Sequence, residues 1–258
     1  VFTGIVTPDA LVGDLTSSEP IPTNGGRDMF LVRFNPQGNI LWHKSIGSTA
    51  DWEAGINTIF DKKGNIYALG YKAAGPINIE LGDGTTEVIG DNRLMLIKFN
   101  GEGKAIWSKG FGSSGGSQES YGLVVDEANN VYISGVVNGG TLDFGNGKSV
   151  DAKTDVSFIA KYNENGVCQW VSQIGSAKSV LPGRGHGLEI DSQGNLYYAT
   201  FSSGTIEIPN VGTLTLAGTN AVVYKFNPNG ECISYIQLPA SSGSGATSVH
   251  VDKNDNLY

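Results

Sequence analysis

The chain alternates short apolar runs with turn-forming residues along its whole length. Between residues 54 and 112 this pattern predicts four strands, which we call A to D, at 54–61, 66–72, 93–100 and 105–112. A Lys-Lys-Gly-Asn turn joins strands A and B, and a glycine-rich turn at 101–103 joins strands C and D. No window shows the 3.6-residue periodicity of an amphipathic helix. The pattern therefore predicts an all-β protein.

Two signatures recur along the chain with nearly constant spacing. Strand C ends in an aromatic residue followed by asparagine, at steps of 65, 63 and 64 residues: Phe34-Asn35, Phe99-Asn100, Tyr162-Asn163 and Phe226-Asn227. Strand A ends in an aspartate with a tyrosine six residues later, at steps of 65, 65 and 61: Asp61, Asp126, Asp191 and Asp252. A long internal period built of antiparallel strands predicts a β-propeller of four-stranded blades with a repeat of about 64 residues.

A short extra hairpin is expected between strands B and C of each blade. It is clearest at 77–89, recurs at 141–147 and 205–216, and drifts in sequence at 10–22. Variable loops on a rigid scaffold are where binding residues concentrate, so these insertions, together with the loops from strand D to the next strand A, predict a binding face on one side of the propeller. The candidate residues on it are Glu80, Asp83, Glu87, Asp143, Phe144 and Glu207.

Residues 1–258 are expected to form a single propeller region of four repeats. Val1 to Gly4 align with strand B, and Leu257-Tyr258 again fall in strand B. Two interpretations remain open: a closed ring of four blades sealed by the terminal strands, or a window on a longer propeller or repeat array. We favour the longer array, because strand B is present at both ends.

Other residues that recur in phase are expected to build the blades. Trp42, Trp107 and Trp170 share one strand-D position, which predicts packing between neighbouring blades. A basic residue precedes the aromatic residue of strand C in every copy, for which a structural role is expected: Arg33, Lys98, Lys161 and Lys225. Cys168 and Cys232 share a strand-D position, too far apart for a disulfide, and are expected to be free thiols.

Charge and composition exclude several classes of partner. The net charge is -8 and the pI is near 4.8, which argues against nucleic acid and against anionic membranes. No apolar stretch approaches the roughly 18 to 20 residues of a membrane helix. Membrane insertion is therefore not expected.

The run from Tyr121 to Gly135 closely resembles the signature of the SBBP (beta-propeller) repeat family, and residues 99–112 fit the second half of that signature. The resemblance spans essentially the whole chain and extends more distantly to NHL-type blades. The fourth copy departs from it, with Thr200 in place of a glycine and Ser234 in place of the tryptophan. The resemblance implies a bacterial protein, secreted or on the cell surface, of a kind common in Bacteroidota. It also implies adhesion or scaffolding without general enzymatic activity.

Polar residues on the third and fourth A strands are the candidates for chemistry. Propeller A strands line a central channel, where Arg184, His186, Glu189 and His250 would form a ligand site, with Glu189 facing His250 as an acid–base pair. Polar residues in a solvated channel need no such role. We therefore expect a non-catalytic module that binds protein or glycan, without metal or cofactor. The alternatives are a lyase or hydrolase with its site in the channel, and a structural spacer or passenger subunit of an export or surface complex.

Overall fold

The computed structural model describes residues 1–13, 18–49, 52–73, 75–90, 93–112, 117–152, 156–175, 187–238 and 248–258. In these ranges the regular elements are β-strands, joined in antiparallel sheets. The all-β prediction is therefore confirmed. No helix in the described ranges is long and apolar enough to cross a bilayer. The chain divides into two compact units, Val1–Ser114 and Gly115–Tyr258.

The first unit holds two main sheets and two small hairpins. In the order of their hydrogen bonding, the sheets are β1-β4-β5 and β11-β10-β7-β6, and the hairpins are β2-β3 and β8-β9. The strands are β1 (Phe2–Val6), β2 (Leu11–Gly13), β3 (Ser18–Pro20), β4 (Asp28–Phe34), β5 (Ile40–Ile46), β6 (Glu53–Phe60), β7 (Ile66–Lys72), β8 (Ile77–Glu80), β9 (Thr86–Ile89), β10 (Leu94–Phe99) and β11 (Ala105–Phe111).

The second unit holds two four-stranded sheets, β12-β13-β16-β17 and β18-β19-β20-β21, and the hairpin β14-β15. Its strands are β12 (Ser117–Val125), β13 (Val131–Asn138), β14 (Gly140–Asp143), β15 (Ser149–Ala152), β16 (Val156–Tyr162), β17 (Cys168–Ile174), β18 (Gly187–Ile190), β19 (Leu196–Ile208), β20 (Gly212–Phe226) and β21 (Cys232–Leu238). The inserted hairpin at 205–216 forms the far ends of the long strands β19 and β20.

Strands A to D predicted between 54 and 112 are β6, β7, β10 and β11, within one residue of the expected bounds. The predicted insertion at 77–89 is the hairpin β8-β9. Its apolar residues Ile77, Ile79 and Ile89 lie in the core of the first unit, together with Met29, Leu31 and Ile46 from the preceding sheet. Consecutive sheets of this unit are therefore joined through a shared core.

The in-phase aspartates are explained by the A–B turns. Asp61 Oδ1 accepts hydrogen bonds from the backbone N–H groups of Lys63 and Asn65, both at 2.9 Å, and Oδ2 accepts one from the Asn65 amide at 2.8 Å. The same bonds form at three further turns, headed by Asp126, Asp191 and Asp252. Each aspartate thus satisfies a turn whose backbone donors would otherwise lack partners.

The in-phase lysines pair with these aspartates. Lys98 Nζ lies 3.8 Å from Asp61 Oδ2, and both side chains are almost fully buried. The equivalent ion pairs are Lys161 with Asp126 at 3.8 Å and Lys225 with Asp191 at 3.6 Å. Each lysine also lies 4.9–5.0 Å from the centroid of a tyrosine ring on the neighbouring strand. The predicted structural role of the lysines is confirmed.

Two of the in-phase tryptophans pack against the C–D turn of the next copy, as predicted. Trp42 Nε1 donates to Gly101 O at 3.1 Å, and a Cβ added to Gly103 would lie 2.9 Å from the Trp42 ring. In the second unit, Trp170 Nε1 donates to Pro228 O at 3.3 Å. Cys168 and Cys232 are buried free thiols, also as predicted.

Candidate functional site

Glu189 and His250 lie side by side in the second unit. Glu189 is on β18, and His250 leads into the last described turn; His250 Nδ1 is 3.7 Å from Glu189 Oε1. The Glu189 side chain is 33% exposed and that of His250 is 69% exposed. Burial raises the pKa of Glu189, and the neighbouring His250 opposes that rise. The pair has the composition of an acid–base couple, although most of the imidazole lies in solvent.

The other two channel candidates, Arg184 and His186, lie outside the described residues. The channel itself and its lining by A strands therefore stay predictions.

A cavity of about 460 Å³ lies between three A–B turns of the second unit, and its lining includes Ile190 and Val251, which follow Glu189 and His250 in the sequence. Its charged lining comes from Asp126, Glu127, Asp191, Asp252, Lys253 and Asp255. The three turn-heading aspartates are already engaged by backbone and amide donors of their own turns. In the part of the chain that the structure describes, no group of three or more His, Cys, Asp or Glu side chains is arranged to hold a metal ion.

Asp255 joins two neighbouring turns of this cavity. Its carboxylate accepts a hydrogen bond from the Ser192 backbone N–H at 2.8 Å and one from the Ser192 hydroxyl at 2.6 Å. The cavity wall is thus held together across copies, and the carboxylate that does so was not identified from the sequence.

The candidate residues on the hairpin of the first unit differ in exposure and in the contacts that they already make within the fold. Asp83 is exposed, and its Oδ1 accepts two hydrogen bonds from Thr85 within the turn. Glu87 is held against β11, where its carboxylate accepts a hydrogen bond from the Ser108 hydroxyl at 2.8 Å and lies 3.8 Å from Lys109 Nζ. Glu80 is exposed beside a depression of about 410 Å³ that Lys44 and Lys104 also line.

The hairpin candidates in the second unit include one core residue. Phe144 is 3% exposed and packs edge-to-face on Phe158, with ring centroids 5.0 Å apart. Its ring is therefore in the core and not on the expected binding face, because Phe144 continues the alternation in which Leu142 is buried and Asp143 is exposed. Asp143 and Glu207 are exposed; Asp143 accepts from the Gly145 N–H at 2.8 Å, and Glu207 from the Thr213 hydroxyl at 2.9 Å.

A buried polar cluster in the first unit was missed by the sequence reasoning. Asp28, Glu53 and Lys72 are each 0–1% exposed, and Glu53 Oε1 accepts a hydrogen bond from the Ser48 hydroxyl at 3.0 Å. Burial raises the pKa of both carboxyl groups; Ser48 and Lys72 oppose the rise at Glu53, while Asp28 adds to it. The sequence did hold one signal for this cluster: Glu53 and Lys72 are charged, whereas the equivalent residues of the next copy, Gln118 and Val137, are not.

Comparisons with known proteins give a distant relative in sequence and neighbours among the solved structures. No family model matches the chain. A protein of Acanthamoeba polyphaga mimivirus, described as an uncharacterized WD repeat-containing protein, is 25% identical over 190 residues. That match covers 66% of this chain and only 13% of the viral protein. A crystal structure of a Bacteroides caccae protein of unknown function gives a TM-score of 0.46 at 12% identity, over 99% of this chain and 64% of that one.

Proposed function

We propose that the chain is a segment of a β-propeller, built from four-stranded blades with a repeat of about 64 residues. The hydrogen-bonding order D-C-B-A of three described sheets supports this proposal, as do the equivalent turns and ion pairs in successive copies. The likeness to a WD repeat-containing protein points the same way. The resemblance to SBBP repeats extends the proposal to a bacterial protein that is secreted or on the cell surface, in a longer array or larger assembly.

The function that the geometry supports best is non-catalytic binding of protein or glycan by the inserted hairpins. The observation that supports this function is that each hairpin has one buried face and one exposed face. In each of the three hairpins at 77–89, 140–152 and 205–216, alternate side chains are buried in the core, and those between them face outward. The outward residues take no part in the core: Asn78, Glu80, Thr86 and Val88; Thr141, Asp143, Ser149 and Asp151; Thr205, Glu207, Thr213 and Thr215. Each hairpin pairs an acidic residue with a threonine or serine at equivalent outward positions, whereas Val88, Asp151 and Thr215 differ in chemistry at another.

A rigid hairpin with an exposed outer face suits recognition, since binding then costs little ordering of the chain. The test is to replace the outward residues of each hairpin by serine, leaving the buried ones unchanged, and to measure binding to arrays of glycans and surface proteins. We expect a ligand of the unmodified chain to be lost with the serine variants, while the β-sheet circular dichroism is retained. Unchanged binding would contradict the proposal, and no ligand at all would favour a structural spacer.

A second candidate function is supported by the raised pKa of Glu189 and its 3.7 Å approach to His250. In that case the protein would be a lyase or hydrolase using the pair for proton transfer. Glu189→Gln and His250→Ala should then abolish turnover of a substrate found by screening. Turnover that survives both substitutions would exclude the pair.

A further inference from the structure

Trp52 is the tryptophan that does not follow the repeat. The three others share a strand-D position, whereas Trp52 directly precedes β6 in the first unit. Its side chain is 38% exposed, compared with 5% for Trp107. A large aromatic ring left at the surface costs apolar burial, so a position outside the blade pattern needs another explanation.

Three further residues are linked to Trp52, directly or through one another. The Tyr71 ring meets the indole edge-on, with centroids 5.2 Å apart and planes at 67°. Arg93 Nη1 donates a hydrogen bond to the Tyr71 hydroxyl at 3.2 Å. Arg27 is exposed and bridges to Trp52 through the backbone on the opposite side. We call Arg27, Trp52, Tyr71 and Arg93 the aromatic–arginine row.

The backbone fixes the order of this row. The Glu53 N–H donates to Arg27 O at 2.8 Å, the Ala73 N–H donates to Trp52 O at 2.8 Å, and the Lys72 N–H donates to Arg93 O at 2.8 Å. Four neighbouring chain segments thus present the row at the strand ends from which the hairpin β8-β9 emerges. Beneath the row, Glu53 and Lys72 are buried and hydrogen-bonded, and these contacts hold the row in a fixed position.

The exposed charge of the row is positive, although the chain carries a net charge of -8. The row has two guanidinium groups, and the adjoining carboxyl groups of Asp28 and Glu53 are buried beneath it. Among the described residues, neither Arg27 nor Arg93 forms an ion pair. Guanidinium groups bind carboxylate and sulfate through paired N–H donors, and an indole face stacks on the apolar face of a ring.

From this arrangement we infer that the aromatic–arginine row is a subsite for an acidic glycan, with one sugar ring on Trp52 and its carboxylate or sulfate between Arg27 and Arg93. The inference rests on the proposed function and names the ligand class. An acidic sugar fits better than an acidic protein, because a stable protein interface needs about 800 Å² on each partner, with a broad apolar centre. The row offers one indole between two charges.

The test measures binding of polygalacturonate, hyaluronan and chondroitin sulfate by affinity electrophoresis, with dextran and polyglutamate as neutral and non-sugar probes. Variants are Trp52→Ala, Trp52→Phe and the pair Arg27→Gln with Arg93→Gln. The matched controls are Lys62→Gln and Lys63→Gln, which each remove an exposed positive charge in the Asp61 turn of the first unit, outside the row and outside the hairpins. Circular dichroism and thermal unfolding check that every variant is folded.

We expect at least one acidic polysaccharide to bind, with affinity falling about tenfold or more in Trp52→Ala and in the arginine pair, partly restored in Trp52→Phe, and unchanged in the controls. Binding should also shift the tryptophan fluorescence, and this shift should be absent in Trp52→Phe. If Trp52→Ala fails to fold, the test rests on the affinity and fluorescence of Trp52→Phe and on the affinity of the double arginine variant.

Equal binding by the row variants and the wild type, or equal binding of polyglutamate, would overturn the inference. So would binding of no acidic polysaccharide. If the hairpin serine variants lose a ligand that the row variants keep, the proposed function stands and the glycan subsite is wrong. Loss of the same acidic ligand only in the row variants would support the subsite and contradict the assignment of binding to the outward hairpin faces.

Discussion

Replacing Asp61 by asparagine should destabilise the first unit far more than the same change at Asp126 destabilises the second. Lys98 and Asp61 have side chains 5% and 0% exposed, whereas Lys161 and Asp126 are 17% and 16% exposed, at the same 3.8 Å separation. Breaking a buried ion pair costs about 3–5 kcal/mol, because one charge stays buried without compensation. Loss of the Lys161–Asp126 pair should cost less, because water reaches both side chains, although more than the about 0–1 kcal/mol of a fully exposed pair.

The same substitution also disturbs the A–B turn. An asparagine amide can replace only one of the two carboxylate oxygens, and the Asn65 amide that donates to Oδ2 would then face another donor. This loss is common to Asp61→Asn and Asp126→Asn, since the Asn130 amide donates to Asp126 Oδ2 in the same way. The difference between the two variants therefore reports the buried charge of Lys98.

The measurement is urea unfolding of Asp61→Asn, Lys98→Met and the double variant, with Asp126→Asn and Lys161→Met as the matched series. Burial alone would raise the pKa of Asp61, but the Asn65 hydrogen bonds and the Lys98 charge outweigh it and hold that pKa below its ordinary value. The stabilisation should therefore be complete at neutral pH and decline as the pH falls below about 4. Similar small losses at both sites, or additive effects of Asp61→Asn and Lys98→Met, would refute the reasoning.

Three further predictions follow from close contacts and buried titratable groups. Gly122→Ala should cost about 1–3 kcal/mol in urea unfolding, since the new Cβ would lie 2.2 Å from Ser134 Oγ and 2.6 Å from Leu188 Cβ. Gly82→Ala, whose nearest contact would be 3.4 Å, is the control, and equal losses would contradict the packing argument. Cys168 and Cys232 should resist a thiol reagent at pH 8 in the folded protein, because burial raises both pKa values to about 11. Fast labelling before unfolding would show that they are accessible. Burial raises the pKa of Asp28, so ionisation of this carboxyl group in the folded protein destabilises the first unit as the pH rises above about 4. Asp28→Asn should therefore flatten the fall in the free energy of unfolding above that pH. An unchanged slope would exclude Asp28 as its source.

The strands and turns could be predicted because they depend on local chemistry. Asp61 and its equivalents head turns by accepting backbone hydrogen bonds within four residues, so the signal lies in a short stretch of sequence. The lysines were recognisable as structural from their phase alone. Their partners, however, lie about 35 residues away in sequence and could be identified only from the strand pairing.

The residues that sequence reasoning missed or misplaced depend on contacts between segments that are distant in sequence. Glu53 and Lys72 read as ordinary polar positions at strand ends, and only their burial beside Asp28 shows that they form a cluster. Phe144 was expected on the binding face, yet its ring packs against Phe158 in the core. Trp52 stands alone in sequence and lacks any periodic partner that would indicate its role.

An experimental structure that covers both units would show whether the sheets form a propeller. We expect successive four-stranded sheets to be related by a constant rotation about one axis, with the inserted hairpins of successive copies at the same end of that axis. Sheets stacked by translation, or packed face to face without a common axis, would contradict the propeller and the shared binding face together.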